Sequence, residues 1–169
     1  MAFYTNSSSI GVNLNTSSTT QDFALGSLIQ GSDGSIWQYA CAATTVSAYS
    51  VVAINASGSM NMAVLGSING TFGVQLAVSQ NTFAPSEYGW VPVHGVGGGT
   101  GTFKVKVSGS VSAGLMLYIG TASGNITITA AASGTLHGVA VVTAMDTADT
   151  AVTAAPCIIT WPRPRTLGS

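Results

Sequence analysis

The sequence predicts an all-β fold, a single compact β-barrel or β-sandwich domain of about ten short strands. Three observations predict it. Charged residues are 5% of the 169, against about 25% in a typical soluble domain. One Glu, two Lys and two Arg cannot wet the outer faces of a helical bundle. Ser and Thr supply about a quarter of the chain, so its polarity is hydroxyl rather than ionic. The apolar residues fall in short runs broken by Gly, Asn and Ser, the rhythm of strands and turns.

The elements follow in order. Residues 1–21 read as a polar N-terminal arm with few side chains to bury and no period, flexible until a partner orders it. Residues 22–161 form the β domain. Its runs are Phe23 to Ile29, Ser35 to Ala42, Val46 to Ile54, Ser59 to Leu65, Phe72 to Val78 and Tyr88 to His94. Thr102 to Val107, Leu115 to Ile119, Asn125 to Thr129, Leu136 to Thr143 and Cys157 to Trp161 complete the series. Asp33-Gly34 between two runs is a hairpin signal, because Gly tolerates the positive φ of such turns. Phe103-Lys104-Val105-Lys106-Val107 alternates, placing both lysines on one face of a half-solvated strand. Residues 162–169 carry Pro162-Arg163-Pro164-Arg165, whose prolines are expected to break the ladder and leave an extended C-terminal tail.

An internal echo runs through the domain. Val46-Ser47-Ala48, Val51 to Ile54 and Ala56-Ser57-Gly58 line up with Val111-Ser112-Ala113, Met116 to Ile119 and Ala122-Ser123-Gly124, and Gly73-Val74 with Gly138-Val139. A duplicated unit of strand, hairpin and return strand explains the match, and chance similarity between Gly-rich β sequences is the alternative.

The inventory of chemistry is small. His94 and His137 are the only imidazoles, neither beside a nucleophile elbow, and both read as structural. The five carboxylates, Asp22, Asp33, Glu87, Asp146 and Asp149, show no catalytic spacing, and Asp146-Thr147-Ala148-Asp149 reads as a solvated loop. Val96-Gly97-Gly98-Gly99-Thr100-Gly101 lacks the Gly-Lys-Ser/Thr ending of a phosphate loop and reads as a strand connection. No Cys-x-x-Cys or His-x-x-x-His pattern could hold zinc. The expectation is therefore no enzyme activity, no cofactor and no metal. No basic residue precedes Lys104, which argues against nucleic acid as a partner. Residues 1–21 lack the features of a secretory signal, and no apolar stretch approaches the length of a membrane span. Cys41 and Cys157 are read as free buried thiols in a reducing compartment, with a bridge between them as the alternative.

Two features rise above this background. Phe83-Ala84-Pro85-Ser86-Glu87-Tyr88-Gly89-Trp90-Val91 is a turn running into an aromatic-Gly-aromatic strand. Trp90 reads as core, and Tyr88 as either core or contact. The second feature is the tail, with half of all the positive charge. Candidate partner contacts are Phe3 and Tyr4 in the arm, Glu87 and Tyr88 in the turn, and Arg163 and Arg165 in the tail.

Three stretches carry a resemblance to a known family. They are Phe23-Ala24-Leu25-Gly26 through Gly34-Ser35-Ile36-Trp37-Gln38-Tyr39, the central Phe83 to Val91, and Gly138-Val139-Ala140 through to Trp161-Pro162-Arg163. Together they span most of Phe23 to Arg165, and in them the chain resembles the capsid decoration, or cement, proteins of tailed bacteriophages. The resemblance implies a small β-module, often trimeric, without enzymatic activity. Such a module binds the outer face of the major capsid protein lattice and braces it. It would be made in the host bacterial cytoplasm and end on the exterior of the virion. The arm, residues 1–21, would be the anchor. Another virion β-module, such as a head fibre, tail or baseplate component, is the alternative, followed by a carbohydrate-binding module, which Trp and Tyr able to stack on sugars support and the lack of acids and amides clustered near them opposes.

Overall fold

A computed structural model describes residues 12–64, 74–95, 103–114, 117–120, 124–127, 135–142 and 152–165. Twelve strands follow in chain order. They are β1 (Ser17–Ser18), β2 (Leu28–Gln30), β3 (Ile36–Ala42), β4 (Val51–Ile54), β5 (Ser59–Met62) and β6 (Gln75–Val78). Then come β7 (Tyr88–Gly95), β8 (Phe103–Ser108), β9 (Leu117–Ile119), β10 (Ile126–Thr127), β11 (Thr135–Val141) and β12 (Val152–Arg165). No helix occurs among the described residues. The expected runs each overlap a strand, and Gly34, at φ 81, turns the chain between β2 and β3 as Asp33-Gly34 predicted.

Hydrogen bonding joins the strands in the order β11-β9-β10-β8-β12-β7-β3-β5-β4-β6, and β12 also pairs β11. Strands β8 to β12 thus form a closed β-barrel, with further strands outside it. The barrel alternative of the sequence reading is the one realised.

The ladders show a duplication. β3 pairs β7 antiparallel and β5 parallel, while β5 pairs β4 and β4 pairs β6, both antiparallel. β8 pairs β12 antiparallel and β10 parallel, while β10 pairs β9 and β9 pairs β11, both antiparallel. The registers agree as well. Ile54 opposes Met60 where Ile119 opposes Ile126, and Ala42 opposes Met60 where Val107 opposes Ile126. Tyr49 and Gly114 both have positive φ, as do Gly58 and Gly124, and Val46 and Val111 are both buried. The first part of the sequence echo is therefore a structural repeat. Its last part is corrected: Gly73 lies outside the described residues, and the ladders place Ala77, not a residue near Val74, where the second unit has Leu136.

Equivalent strands β7 and β12 lie side by side, with His94 opposite Thr160. Counted along the chain these two are themselves equivalent, so a local two-fold axis passes between them. Each unit fills its own interior at matching positions. Ala40, Val52, Ile54, Met60 and Val91 belong to one buried cluster, and their counterparts Val105, Leu117, Ile119, Ile126 and Cys157 to the other. Burying each larger side chain stabilises by about 1.5–3 kcal/mol. The first unit turns its remaining apolar side chains, Trp37, Val51, Leu76 and Val78 among them, onto the second unit's cluster. Trp37 meets Phe103 edge-on at 5.5 Å, and its Nε1–H donates to Ser35 Oγ at 2.6 Å, which satisfies the buried indole.

Both terminal boundaries need correction. The segment expected to be an arm as far as Gln21 is docked within its described part. Leu14 is fully buried, Val12 packs against the core, and Ser17 and Ser18 pair Gly89 and Tyr88. Two apolar residues at alternate positions are enough to seat a short segment once aromatic surface is there to receive them. At the other end, β12 continues through Arg165, pairing Thr135, Leu136 and His137 of β11. Because Pro162 and Pro164 stand two apart, both missing N–H groups fall on one side, and a ladder can run along the other. The irregularity instead lies at Gly138, opposite Trp161. Gly138 has φ 81, a Cβ there would collide with the Thr160 carbonyl oxygen, and Trp161 itself takes the left-handed conformation at φ 51. Cys41 and Cys157 are free thiols.

Candidate functional site

The densest grouping of aromatic side chains sits on the outer face of β3 and β7. Tyr39 opposes Trp90, and Cys41 opposes Tyr88, so cross-strand geometry puts Tyr39, Tyr88 and Trp90 on one face. Tyr39 and Trp90 lie 5.0 Å apart between ring centroids, and Tyr39 and Tyr88 are near-parallel at 6.3 Å. Phe23 closes the group edge-on, 5.3 Å from Tyr39 and 5.2 Å from Trp90. Tyr39 and Trp90 are buried, whereas Phe23 and Tyr88 are half-exposed.

Gly89 makes room for this arrangement. Between Tyr88 and Trp90 it faces the other way, where a Cβ would stand 2.5 Å from Phe83 Cε1 and 3.1 Å from the Thr16 carbonyl oxygen. The N-terminal segment crosses β7 at that point through β1. Its far end is tied down by the Asp22 N–H, which donates to Tyr39 Oη at 3.1 Å.

Segment and sheet border a half-open cavity of about 160 Å³. Rings of Phe23, Tyr39, Tyr88 and Trp90 line it, together with polar groups of Asn13, Thr16, Ser18 and Asp22. The segment has already used part of its hydrogen-bonding capacity. Asn13 Oδ1 accepts the Asn15 N–H, Thr16 Oγ1 donates to the Asn13 carbonyl, and Ser18 Oγ accepts the Thr20 N–H. Among the described residues nothing bonds the Asn13 amide N–H groups, the Tyr39 hydroxyl proton or the Asp22 carboxylate, which leaves them for another partner.

Of the residues proposed from sequence, Tyr88 belongs to this site. Glu87 does not. Its Oε2 accepts the Ala84 N–H at 2.8 Å and its own N–H donates to the Ala84 carbonyl, closing the Pro85-Ser86 turn in which Ser86 has φ 67. Phe3 and Tyr4 lie outside the described residues, as do residues 96–102 and 143–150. Arg163 and Arg165 are held in β12 by their backbone, away from β1 and β3, and their side chains lie outside the described residues. Sequence reasoning missed Asn13, Thr16 and Asp22, because they were assigned to the arm or its edge. The alternation of Val12 and Leu14 was the available signal.

The two histidines are separated across the fold. His94 lies at the two-fold axis, its ring stacked on Trp161 at 6.0 Å, and His137 lies on β11 opposite Arg163. No group of three or more His, Cys, Asp or Glu converges among the described residues. Burial pushes the Cys157 thiol up to about 12, which makes it a poor nucleophile. No family model, curated protein or solved structure matches this chain.

Proposed function

We propose that this chain is a structural virion protein that binds the outer surface of a phage capsid lattice and stabilises it as a homo-oligomer, with the major capsid protein as its partner and neither nucleic acid nor membrane involved. The observation that carries this reading is the outer edge of β2, a three-residue strand that pairs only β3 among the described strands and exposes Leu28 at 56% accessibility, with no Lys or Pro along it. Such edges attract another strand, and an assembling subunit uses that tendency. The surface supports the same conclusion. A net charge of -1 with few ionic groups gives little colloidal repulsion and little salt dependence.

The test is co-sedimentation of the purified chain with expanded phage shells that lack it. Saturable attachment, retained at high salt and reduced by Leu28→Lys while the melting temperature holds, is the expected result. Attachment indifferent to Leu28→Lys would remove β2 from the contact, and no attachment to any shell would remove the reading.

A further inference from the structure

The duplication separates what the barrel requires from what has been added to it. Counted through the ladders, Tyr39 occupies the place of Lys104, Tyr88 that of Ala154 and Trp90 that of Pro156. The second unit folds into its barrel without an aromatic at any of these three positions, so the fold does not demand them.

Unit-specific packing accounts for part of the difference, because Leu14 and Phe23 need a surface to rest on. It does not account for the cavity. A pocket of about 160 Å³, open to solvent on one side, lies between the rings of Phe23, Tyr39, Tyr88 and Trp90 and the polar groups of Asn13 and Asp22.

We propose that this cavity is a binding subsite for a single neutral sugar ring. The chemistry on the two sides matches the two sides of a pyranose. The half-exposed rings of Phe23 and Tyr88 receive the apolar C–H face, and the Asp22 carboxylate, the Asn13 amide N–H groups and the Tyr39 hydroxyl are the acceptor and donors for ring hydroxyls. The size suits a single ring, for pockets that hold whole drug-sized molecules run to about 300–1,000 Å³. Neutral character follows from the charges. No Lys or Arg lines the cavity, and Asp22 is exposed, so water screens what one carboxylate could offer a cation. The docked segment brings Asn13 and Asp22 to the rings of Tyr39, Tyr88 and Trp90, to which they are distant in sequence. This subsite goes beyond shell binding and does not depend on it.

The experiment is saturation-transfer NMR together with tryptophan fluorescence titration of the full chain against the methyl glycosides of galactose, glucose, mannose and N-acetylglucosamine, with tetramethylammonium as the cationic probe. Saturable binding of at least one glycoside, with a Kd of about 1 mM, is expected. Asp22→Asn and Tyr88→Ala should each weaken it about fivefold or more, the loss of one hydrogen bond or one contact surface, while Lys104→Ala, at the equivalent place in the second unit, leaves it unchanged. Thermal melting of the exposed-site variant Asp22→Asn keeps a folding defect distinct from a binding defect. No saturable binding of any glycoside, equal binding by both pocket variants, or tighter binding of tetramethylammonium than of every sugar would each overturn the proposal. Failure here leaves attachment to shells untouched.

Discussion

Gly89 lies between two aromatic residues with opposite obligations. Tyr88 and Trp90 face the N-terminal segment, and the side-chain direction of residue 89 is taken up by the Phe83 ring. Gly89→Ala forces a methyl group against Phe83, which is fully buried and has nowhere to retreat. The expected cost is about 1–3 kcal/mol, typical of an overpacked site, read as a lowered denaturation midpoint at unchanged slope. Cys157 makes a second claim at this scale. Its folded-state value lies near 12 against 9.0 for the free thiol. The raised value means that the unfolded chain loses this proton first. Its stabilising contribution is therefore full below about pH 9 and is lost between about pH 9 and 12, at a limiting slope of about 1.4 kcal/mol per pH unit. Denaturant titrations across that window should show the decline, and Cys157→Ala should flatten it. Native-state alkylation should modify half-buried Cys41 and spare Cys157.

At the scale of elements, the two units cap equivalent strands with different devices. The Tyr39 N–H donates to the Ser27 carbonyl and the Tyr39 carbonyl accepts the Gly26 N–H, both at 2.9 Å, from the chain leading into β2. At the equivalent Lys104, the same two backbone groups are met by one side chain. Gln80 Nε2 donates to the Lys104 carbonyl, and its Oε1 accepts the Lys104 N–H, both at 3.0 Å. A primary amide has the donor and acceptor of a peptide group, so Gln80 acts as a one-residue strand between β6 and β8. Gln80→Ala should cost about 1–2 kcal/mol, because water can replace these partly exposed bonds. Gln80→Glu should be worse than Gln80→Ala at neutral pH, since a carboxylate cannot donate to the carbonyl. Chemical denaturation of the three proteins orders them.

Elements also show where the sequence was legible. Alternating apolar runs marked the strands, because period-2 burial writes itself into local sequence, and Asp33-Gly34 marked its turn through the φ requirement. Strands β1 and the last turn of β12 were not legible. Ser17-Ser18 has no pattern of its own and is a strand only because β7 offers it a ladder. The prolines of β12 discouraged a strand, yet their spacing spares one side of it. The candidate site was half legible. Tyr88 stood out by type, while Asp22 and Asn13 acquire meaning only when the segment folds back across Gly89, a long-range contact with no local signature.

For the whole molecule, the repeat of connectivity, pairing sense and register across β3 to β7 and β8 to β12 has the form of an ancestral pair joined in one chain. Fusion leaves two equivalent interiors, one of them closed into a barrel, and lets the outer faces diverge. One face is covered by a segment and aromatic rings, the other carries Lys104 and Lys106 toward solvent. The proposed role is that this near-uncharged body, whose β2 pairs only β3 among the described strands, makes repeated contact with a surface that is itself repetitive. That claim is tested most directly by the copy number of this chain in purified particles of its source, measured by quantitative mass spectrometry against the most abundant shell protein. A ratio within a few-fold of the shell protein is the expected result. A handful of copies per particle, or none, would contradict a decoration lattice.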